Sequence, residues 1–412
     1  MTASKIAEKR PHVNGNPTGP SIGKNKKRPV RVLHIGKYFP PSPGGIENFT
    51  ADLIPALAEL GVESRAIVHD DPRFPKPPNA GGFSPERVPC LGTFFFAPVS
   101  PGFPRAISRA INDFRPDLIY FHMPNVSAFW ALFLPRARKI PWVLDWHSDV
   151  APSKIDWRPA AAYPAYFPFE RAMLAKARAV IIHSKPCLDH SRPLKKWRRK
   201  CRVIPLGIDP ARLAPGAHSK NPKIRIWTEK DPSFRVLAVG RLSYYKGHDT
   251  LIRAAANLKG VSLVIAGDGE RFAALADLIR RMGPGDRAIL AGRVTNAELA
   301  RLMDACHCLC LPSLERTEAF GVTLLEAMSR SKPVIASDIQ GSGIGFVVRH
   351  KETGLLTRPG DETELAGAIR LMRDRPEMAR QMGEAGKKRF DAHFHIRAAA
   401  RKIASVFETI VS

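Results

Sequence analysis

At 412 residues, with 44% hydrophobic and 25% charged side chains, the chain is too long for one compact core and has the length of two globular domains. Its formal net charge of +26 predicts attraction to polyanions (phosphorylated substrates, an anionic membrane surface or nucleic acid) without choosing among them. Six scattered cysteines, the absence of a secretory leader pattern and the lack of an apolar run of about 18 residues argue against a disulfide scaffold and a membrane span, and predict a cytoplasmic setting.

Residues 1–29 are polar and rich in Lys, Gly, Pro and Asn, which predicts a disordered basic tail. Order begins at Val30, where RVLHIG reads as a strand, KYFPPSPGG as a glycine loop, and Ile46 to Leu60 as a helix. Short apolar runs at 62–68, 117–121, 142–146, 179–182 and 202–204 predict further strands with helices between several of them. That alternation predicts an α/β, doubly wound parallel sheet over 30–205.

The rhythm is lost over 206–232, which reads as a linker, and resumes over 233–390. Strands are expected at Phe234–Gly240, 261–266, 286–290, 305–311 and 333–336, and helices at 248–258, 271–282, 296–304 and 321–330. A second doubly wound, Rossmann-like sheet follows, and two such domains facing each other enclose a central cleft at the carboxyl ends of their strands. A last helix, within 391–412, packs on an outer surface or reaches back to the first domain.

The chemistry concentrates at strand ends. Glu318-Ala-Phe320-Gly321-Val-Thr-Leu-Leu-Glu326 runs from a strand into a helix, where Gly321 permits close backbone approach and free N–H groups suit phosphate oxygens. Alone, Glu326 reads as a surface position of an amphipathic helix; in this setting its carboxylate suits a vicinal diol such as ribose. Gly240-Arg241-Leu-Ser-Tyr-Tyr-Lys246-Gly247 puts two cations beside it, fit to stabilise a leaving diphosphate. In the first domain Gly44 and Gly45 let backbone amides approach an anion, although a Gly-Gly after Pro is commonly a turn. His147, in PWVLDWHSD, falls at a strand end facing the cleft, with His122 a weaker rival.

No metal site is predicted: the chain has no D-x-D pair, no H-E-x-x-H and no paired C-x-x-C. Strand alternation puts Cys306, Cys308 and Cys310 on one face as small core hydrophobes. The glycines of GSGIG at 341–345 do not fit a dinucleotide fingerprint and read as a loop beside the donor site.

The loop at 240–247, IAGDGE at 265–270, LAGRV at 290–294 and the E-x7-E motif at 318–326 together resemble glycosyltransferase family four, continuously over the second half and more loosely over the first. The resemblance implies a GT-B fold and a retaining transferase that needs no cofactor or metal and takes a nucleotide-sugar donor. It implies that Arg241 and Lys246 bind the donor diphosphate, Glu326 the ribose, and Glu318 the transferred sugar. Phe320 and Gly321 would offer backbone N–H groups, the loop around Arg293 and Val294 would face the nucleobase, and Gly44 and Gly45 would approach the phosphates. His147 would lie near the reacting sugar, and the last helix would return to the first domain.

The acceptor is expected to be a glycan. Seven basic residues and Trp197 within 192–202, together with the aromatic stretches 92–98 and 161–169, suggest a lipid-linked glycan at an anionic membrane surface, and no nucleic acid partner is expected. The competing readings are a GT-B epimerase or phosphorylase, and a basic adaptor without catalysis.

Overall fold

The computed structural model describes residues 28–71, 73–74, 83–94, 97–150, 158–214, 227, 232–282 and 287–412. The basic tail, except its last two residues, and most of the 206–232 linker lie outside the described residues.

The first half contains strands β1 (Val30–Ile35), β2 (Val62–His69) and β3 (Glu86–Val88), an antiparallel hairpin of β4 (Gly92–Phe94) and β5 (Ala97–Val99), then β6 (Leu118–Met123), β7 (Trp142–Trp146), β8 (Ala179–Ile182) and β9 (Cys201–Val203). Its helices are α1 (Gly45–Ala58), α2 (Phe103–Phe114), α3 (Pro135–Lys139), α4 (Arg158–Lys176) and α5 (Lys185–His190), with 3-10 turns at Val126–Phe133, Pro193–Lys200 and Pro210–Leu213. Seven strands form one parallel sheet in the order β3-β2-β1-β6-β7-β8-β9. The strands β6, β7 and β8 are buried throughout, as expected of a sheet covered on both faces. The helix α2 shows how the cover forms: Phe103, Ala106, Ile107, Ala110, Ile111 and Phe114 recur at three- and four-residue spacing, and all are buried.

The second half contains β10 (Phe234–Val239), β11 (Val261–Ala266), β12 (Ala288–Gly292), β13 (Cys308–Leu311), β14 (Val334–Ser337) and β15 (Gly354–Thr357), joined in the parallel order β12-β11-β10-β13-β14-β15. Its helices are α6 (His248–Ala256), α7 (Phe272–Met282), α8 (Asn296–Ala305), α9 (Val322–Met328), α10 (Ile344–Val347), α11 (Glu362–Asp374) and α12 (Pro376–His393). A capping box between Thr295 and Glu298 starts α8.

The final helix, α13 (Ile396–Val411), packs on α1 of the first half. Phe407 meets Tyr120 of β6 edge to face at 5.1 Å, and Arg397 pairs with Glu59 at 3.0 Å. The two crossings between the halves run side by side: the Ile208 N–H donates to the Phe394 carbonyl and the Ile396 N–H donates to the Ile208 carbonyl, each at 3.0 Å. One apolar core therefore holds Phe49 and Leu53, Leu237 and Leu324, and Phe407 together.

Three local expectations need correction. Cys306 is not on a strand; it ends α8 and packs in a different core cluster from Cys308 and Cys310 of β13, so the three thiols do not share a face. The glycines at 341–345 are not only loop, since Gly343 leads directly into α10. In the basic stretch 192–202, Lys200 is not a free cation: its ammonium donates to the carbonyls of Leu174, Ala175 and Ala177 at 3.1, 2.8 and 2.8 Å, fastening the end of α4.

Phe407→Ala should cost about 3–5 kcal/mol of stability, because it empties a fully buried aromatic site between the halves; urea unfolding measures this. A second prediction concerns Glu170, whose carboxyl burial pushes up to about 7 although Tyr163 donates to it at 2.8 Å. The folded state thus holds a proton there that the unfolded chain releases from its ordinary pKa of 4.5 upward. Stability relative to Glu170→Gln should fall by about 1.4 kcal/mol per pH unit between those two values and level off above them. Unfolding of both proteins across pH 4–8 tests the sign, and a difference that rises with pH would contradict it.

Candidate active site

In each sheet the strand order reverses once. The reversals lie between β1 and β6 in the first sheet and between β10 and β13 in the second. A crevice opens outside the carboxyl ends at such a point. The loops that leave these strands carry most of the residues singled out in the sequence.

After β1 the chain reaches Gly44 and Gly45, and Gly45 opens α1. After β13 it passes Ser313 and Glu318 to Gly321, which caps α9 at φ 79°, a conformation that favours glycine. The two helix starts face each other: a Cβ built on Gly45 would lie 3.2 Å from the Val322 side chain. The first turn of a helix leaves N–H groups without intrahelical partners, which suits an anion placed between two such starts. Glu47 folds back over Gly44, so that a Cβ there would lie 2.0 Å from its carboxylate. Burial raises the Glu47 carboxyl, opposed by Lys37 and Arg241 nearby. Lys37, in the loop after β1, was not singled out in the sequence; its signal was its place in that loop.

The loop after β10 ends at Gly247, whose φ is 64° and whose α-carbon leaves no space for a side chain, since a Cβ would lie 2.0 Å from the Pro312 carbonyl. This tight contact sets Lys246 against the β13 loop. Its ammonium pairs with the Glu318 carboxylate at 2.5 Å, and Ser313 donates to the same oxygen at 3.1 Å. Burial alone would lower the Lys246 ammonium, but Glu318 outweighs it and holds the pKa above the ordinary value. Arg241 is exposed at the start of the same loop.

Glu326 is 3% exposed, so it is not a surface position. Its carboxylate accepts from Arg212 at 3.1 Å, and Arg212 also pairs with Asp52 of α1 at 3.2 Å. Arg212 thus bridges a helix of each half. It was missed because it sits in the stretch read as linker. Burial alone would lower its pKa, yet Glu326 and Asp52 keep it raised.

Arg293 pairs with Asp268 at 3.2 Å and covers the Phe74 ring of the first half at 4.5 Å, while Val294 packs partly buried on the core. The Phe320 ring is buried, edge-on to His183 and Phe394. His147 lines a small pocket between the halves, opposite Arg316, Ala319 and Gly341. Arg316 reaches across to Asp149 at 3.3 Å.

His147 and its sequence rival His122 lie together. Both contact Asp145, which is fully buried and also meets His183. Burial lowers His147 to about 4 despite Asp145, so it is neutral at physiological pH. Burial pushes the Asp145 carboxyl up, but His147 and His183 hold it well below the ordinary carboxylate value. Asp145 and His183 escaped the sequence reading because each stands inside or just after an apolar strand, where nothing local marks it.

Comparisons with known proteins agree with this architecture. Residues 219–389 match the family described as glycosyl transferases group 1, and residues 43–212 match glycosyltransferase family 4. The D-rhamnosyltransferase WbpZ of Pseudomonas aeruginosa is 28% identical, covering 88% of this chain and 91% of its own length. The O-antigen chain mannosyltransferase C of Escherichia coli is 27% identical, covering 89% and 94%. Among solved structures, sucrose-phosphate synthase of Thermosynechococcus elongatus superposes with a TM-score of 0.75 at 23% identity, over 92% of this chain and 98% of that one. Anabaena HepE, in complex with UDP-glucose, superposes at 0.69 and 22% identity over 92% and 100%. These structures share the GT-B fold of two Rossmann-like halves.

Arg212→Ala should destabilise the protein by about 3–5 kcal/mol, because it leaves the buried Asp52 and Glu326 carboxylates without their cation. The comparison with wild type by denaturant unfolding decides it, and a loss under 1 kcal/mol would mean water replaces the arginine.

Proposed function

The chain belongs to family four of the GT-B glycosyltransferases, and from that premise we propose that it moves a hexose-type sugar, with retention, from a UDP- or GDP-sugar to a glycan acceptor in cell-surface polysaccharide or lipopolysaccharide assembly. The observation that carries this reading is the gap between the starts of α1 and α9, opened by Gly45 and Gly321 and bordered by Lys246 and Glu318. The donor diphosphate enters that gap. Arg241 and Lys246 face the charge that builds on it as the sugar–phosphate bond breaks, and fixed cations do this without a metal.

Lys246 is held ready by Glu318, and Ser313 helps to hold that carboxylate in turn. Glu318 turns its remaining acceptor capacity to the hydroxyls of the transferred sugar. Glu326 takes the ribose through the carboxylate oxygen that Arg212 does not use. Arg293 and Val294 flank the base, and the backbone of Phe320 and Gly321 faces the sugar and phosphates. His147 donates to or accepts from the sugar as a neutral imidazole. The acceptor attacks the face from which the diphosphate leaves, and the departing phosphate takes its proton. An epimerase, a phosphorylase or a non-catalytic adaptor has no support in the family matches.

A lipid-linked acceptor at an anionic membrane surface is the finer reading, and a specific patch favours it. Trp130 and Phe133 are 44% and 62% exposed, Phe133 and Phe169 meet edge to face at 6.2 Å, and Phe169 is itself 38% exposed. Arg136, Arg138 and Lys139 lie within α3, directly after Phe133 and Leu134. Aromatic side chains beside cations suit the interface of an anionic leaflet, where each cation contributes about 1 kcal/mol. Among the described residues no helix is long and apolar enough to cross a membrane.

Lys246→Ala should lower turnover about 10²–10³-fold, and Glu326→Ala should weaken nucleotide binding. Calorimetry against UDP-, GDP-, dTDP- and ADP-sugars, followed by product assay, tests both; binding of none of the four by the folded protein would remove the donor assignment. Phe133→Asp should release the protein from vesicles rich in anionic lipid while leaving donor binding unchanged. Equal sedimentation of the two proteins with such vesicles would remove the membrane reading.

A further inference from the structure

Beneath the cleft, the first half gathers more imidazole than sugar transfer uses. Asp145 stands at 0% exposure on β7, His122 at 1% on β6 and His147 at 8% just past β7. The Oδ2 atom of Asp145 lies 3.2 Å from His122 Nδ1 and 3.2 Å from His147 Nε2, and those two nitrogens are 3.4 Å apart. The three atoms form a nearly equilateral triangle.

Triangles of this size have a simple origin. An ion with tetrahedral bonds of about 2.0–2.1 Å holds its ligand atoms roughly 3.3–3.4 Å apart. The hydrogen-bonded alternative is poorer. Both Asp145 oxygens are buried without a well-aligned hydrogen-bond donor, and two ring nitrogens aimed at one carboxylate oxygen bring their protons together.

We propose that His122, Asp145 and His147 form a binding site for one divalent transition ion of the Zn²⁺ or Co²⁺ type, with water completing its coordination. Imidazole and carboxylate are the donor set such ions take, whereas hard ions such as Mg²⁺ prefer oxygen alone. The surroundings complete the site. His34 Nδ1 lies 3.3 Å from the other ring nitrogen of His122, and His183 Nε2 lies 3.1 Å from the other oxygen of Asp145, so neighbours orient two of the three ligands.

The site goes beyond the donor reading, which sets only His147 of the three against the transferred sugar and uses none of them at the diphosphate seat beside Lys246. It has one consequence for the cleft. An ion on Nε2 of His147 leaves Nδ1 as the nitrogen that carries the proton, and so fixes the tautomer of the ring.

The full-length protein, stripped with a chelator and titrated with Co²⁺, tests the proposal by visible absorption, and Zn²⁺ competition and thermal shift extend the test. The expected result is one ion per chain, with ligand-field bands of nitrogen and oxygen coordination, displacement by Zn²⁺ and a raised melting temperature. His122→Ala and Asp145→Asn should each weaken binding by about 100-fold or more, and His34→Ala by about 10-fold. Should Asp145→Asn fail to fold by circular dichroism, His122→Ala decides alone. No saturable binding in wild type, unchanged affinity in folded His122→Ala, or thiolate charge-transfer bands pointing to the cysteines would each overturn it.

Discussion

A parallel sheet delivers every strand's carboxyl end to the same edge, and reversal of the strand order opens that edge. This chain uses the constraint twice and turns the two openings toward each other. Gly45 against Val322 sets how close they come. The rest of the cleft is arranged about that approach: the paired helix starts, Lys246 and Arg241 of the β10 loop, and the Glu318 carboxylate that holds Lys246 in place. A side chain at Gly247 would strike the Pro312 carbonyl, so the position of Lys246 depends on the absence of a single carbon atom.

Charge in the cleft is arranged by burial rather than by abundance. The chain carries 64 Lys and Arg against 38 Asp and Glu, yet the cations fixed in the cleft, Lys246 and Arg212, are those with buried acidic partners. Lys246 with Glu318, and Arg212 between Asp52 and Glu326, are held in one geometry by desolvated pairs, while most ion pairs at the surface are screened and contribute little. The pairing also preorganises. A cation already desolvated and fixed need not reorganise when negative charge develops beside it.

How much of this was legible depended on sequence distance. Gly240 to Gly247 and Glu318 to Glu326 are local motifs at strand–helix junctions, where residue type and spacing report the backbone directly, and the alternation of apolar runs carried both sheets. The residues that were missed act through partners far along the chain. Arg212 meets Glu326 across 114 positions, and no pattern near either one announces it. Asp145 sat in an apolar run and could be read only as an anomaly until β6 and β8 brought His122 and His183 beside it. Cys306, Cys308 and Cys310 were misassigned to one face because α8 ends later than apolar periodicity alone could indicate. The strands β3 (ERV) and β15 (GLLT) were not predicted, since neither holds the run of three or more apolar residues that marked β8 and β14.

The last helix has a consequence for how the molecule comes into being. Phe49 and Leu53, in the first half, share a core with Phe407, which is translated long after them. Domains generally fold as units, amino-terminal first, during synthesis. Here the first half emerges with one side of its core uncovered and keeps that apolar face exposed until the whole second half has been made. That uncovered face is open to aggregation while the second half is being made, and a truncation that removes only α13 exposes it again.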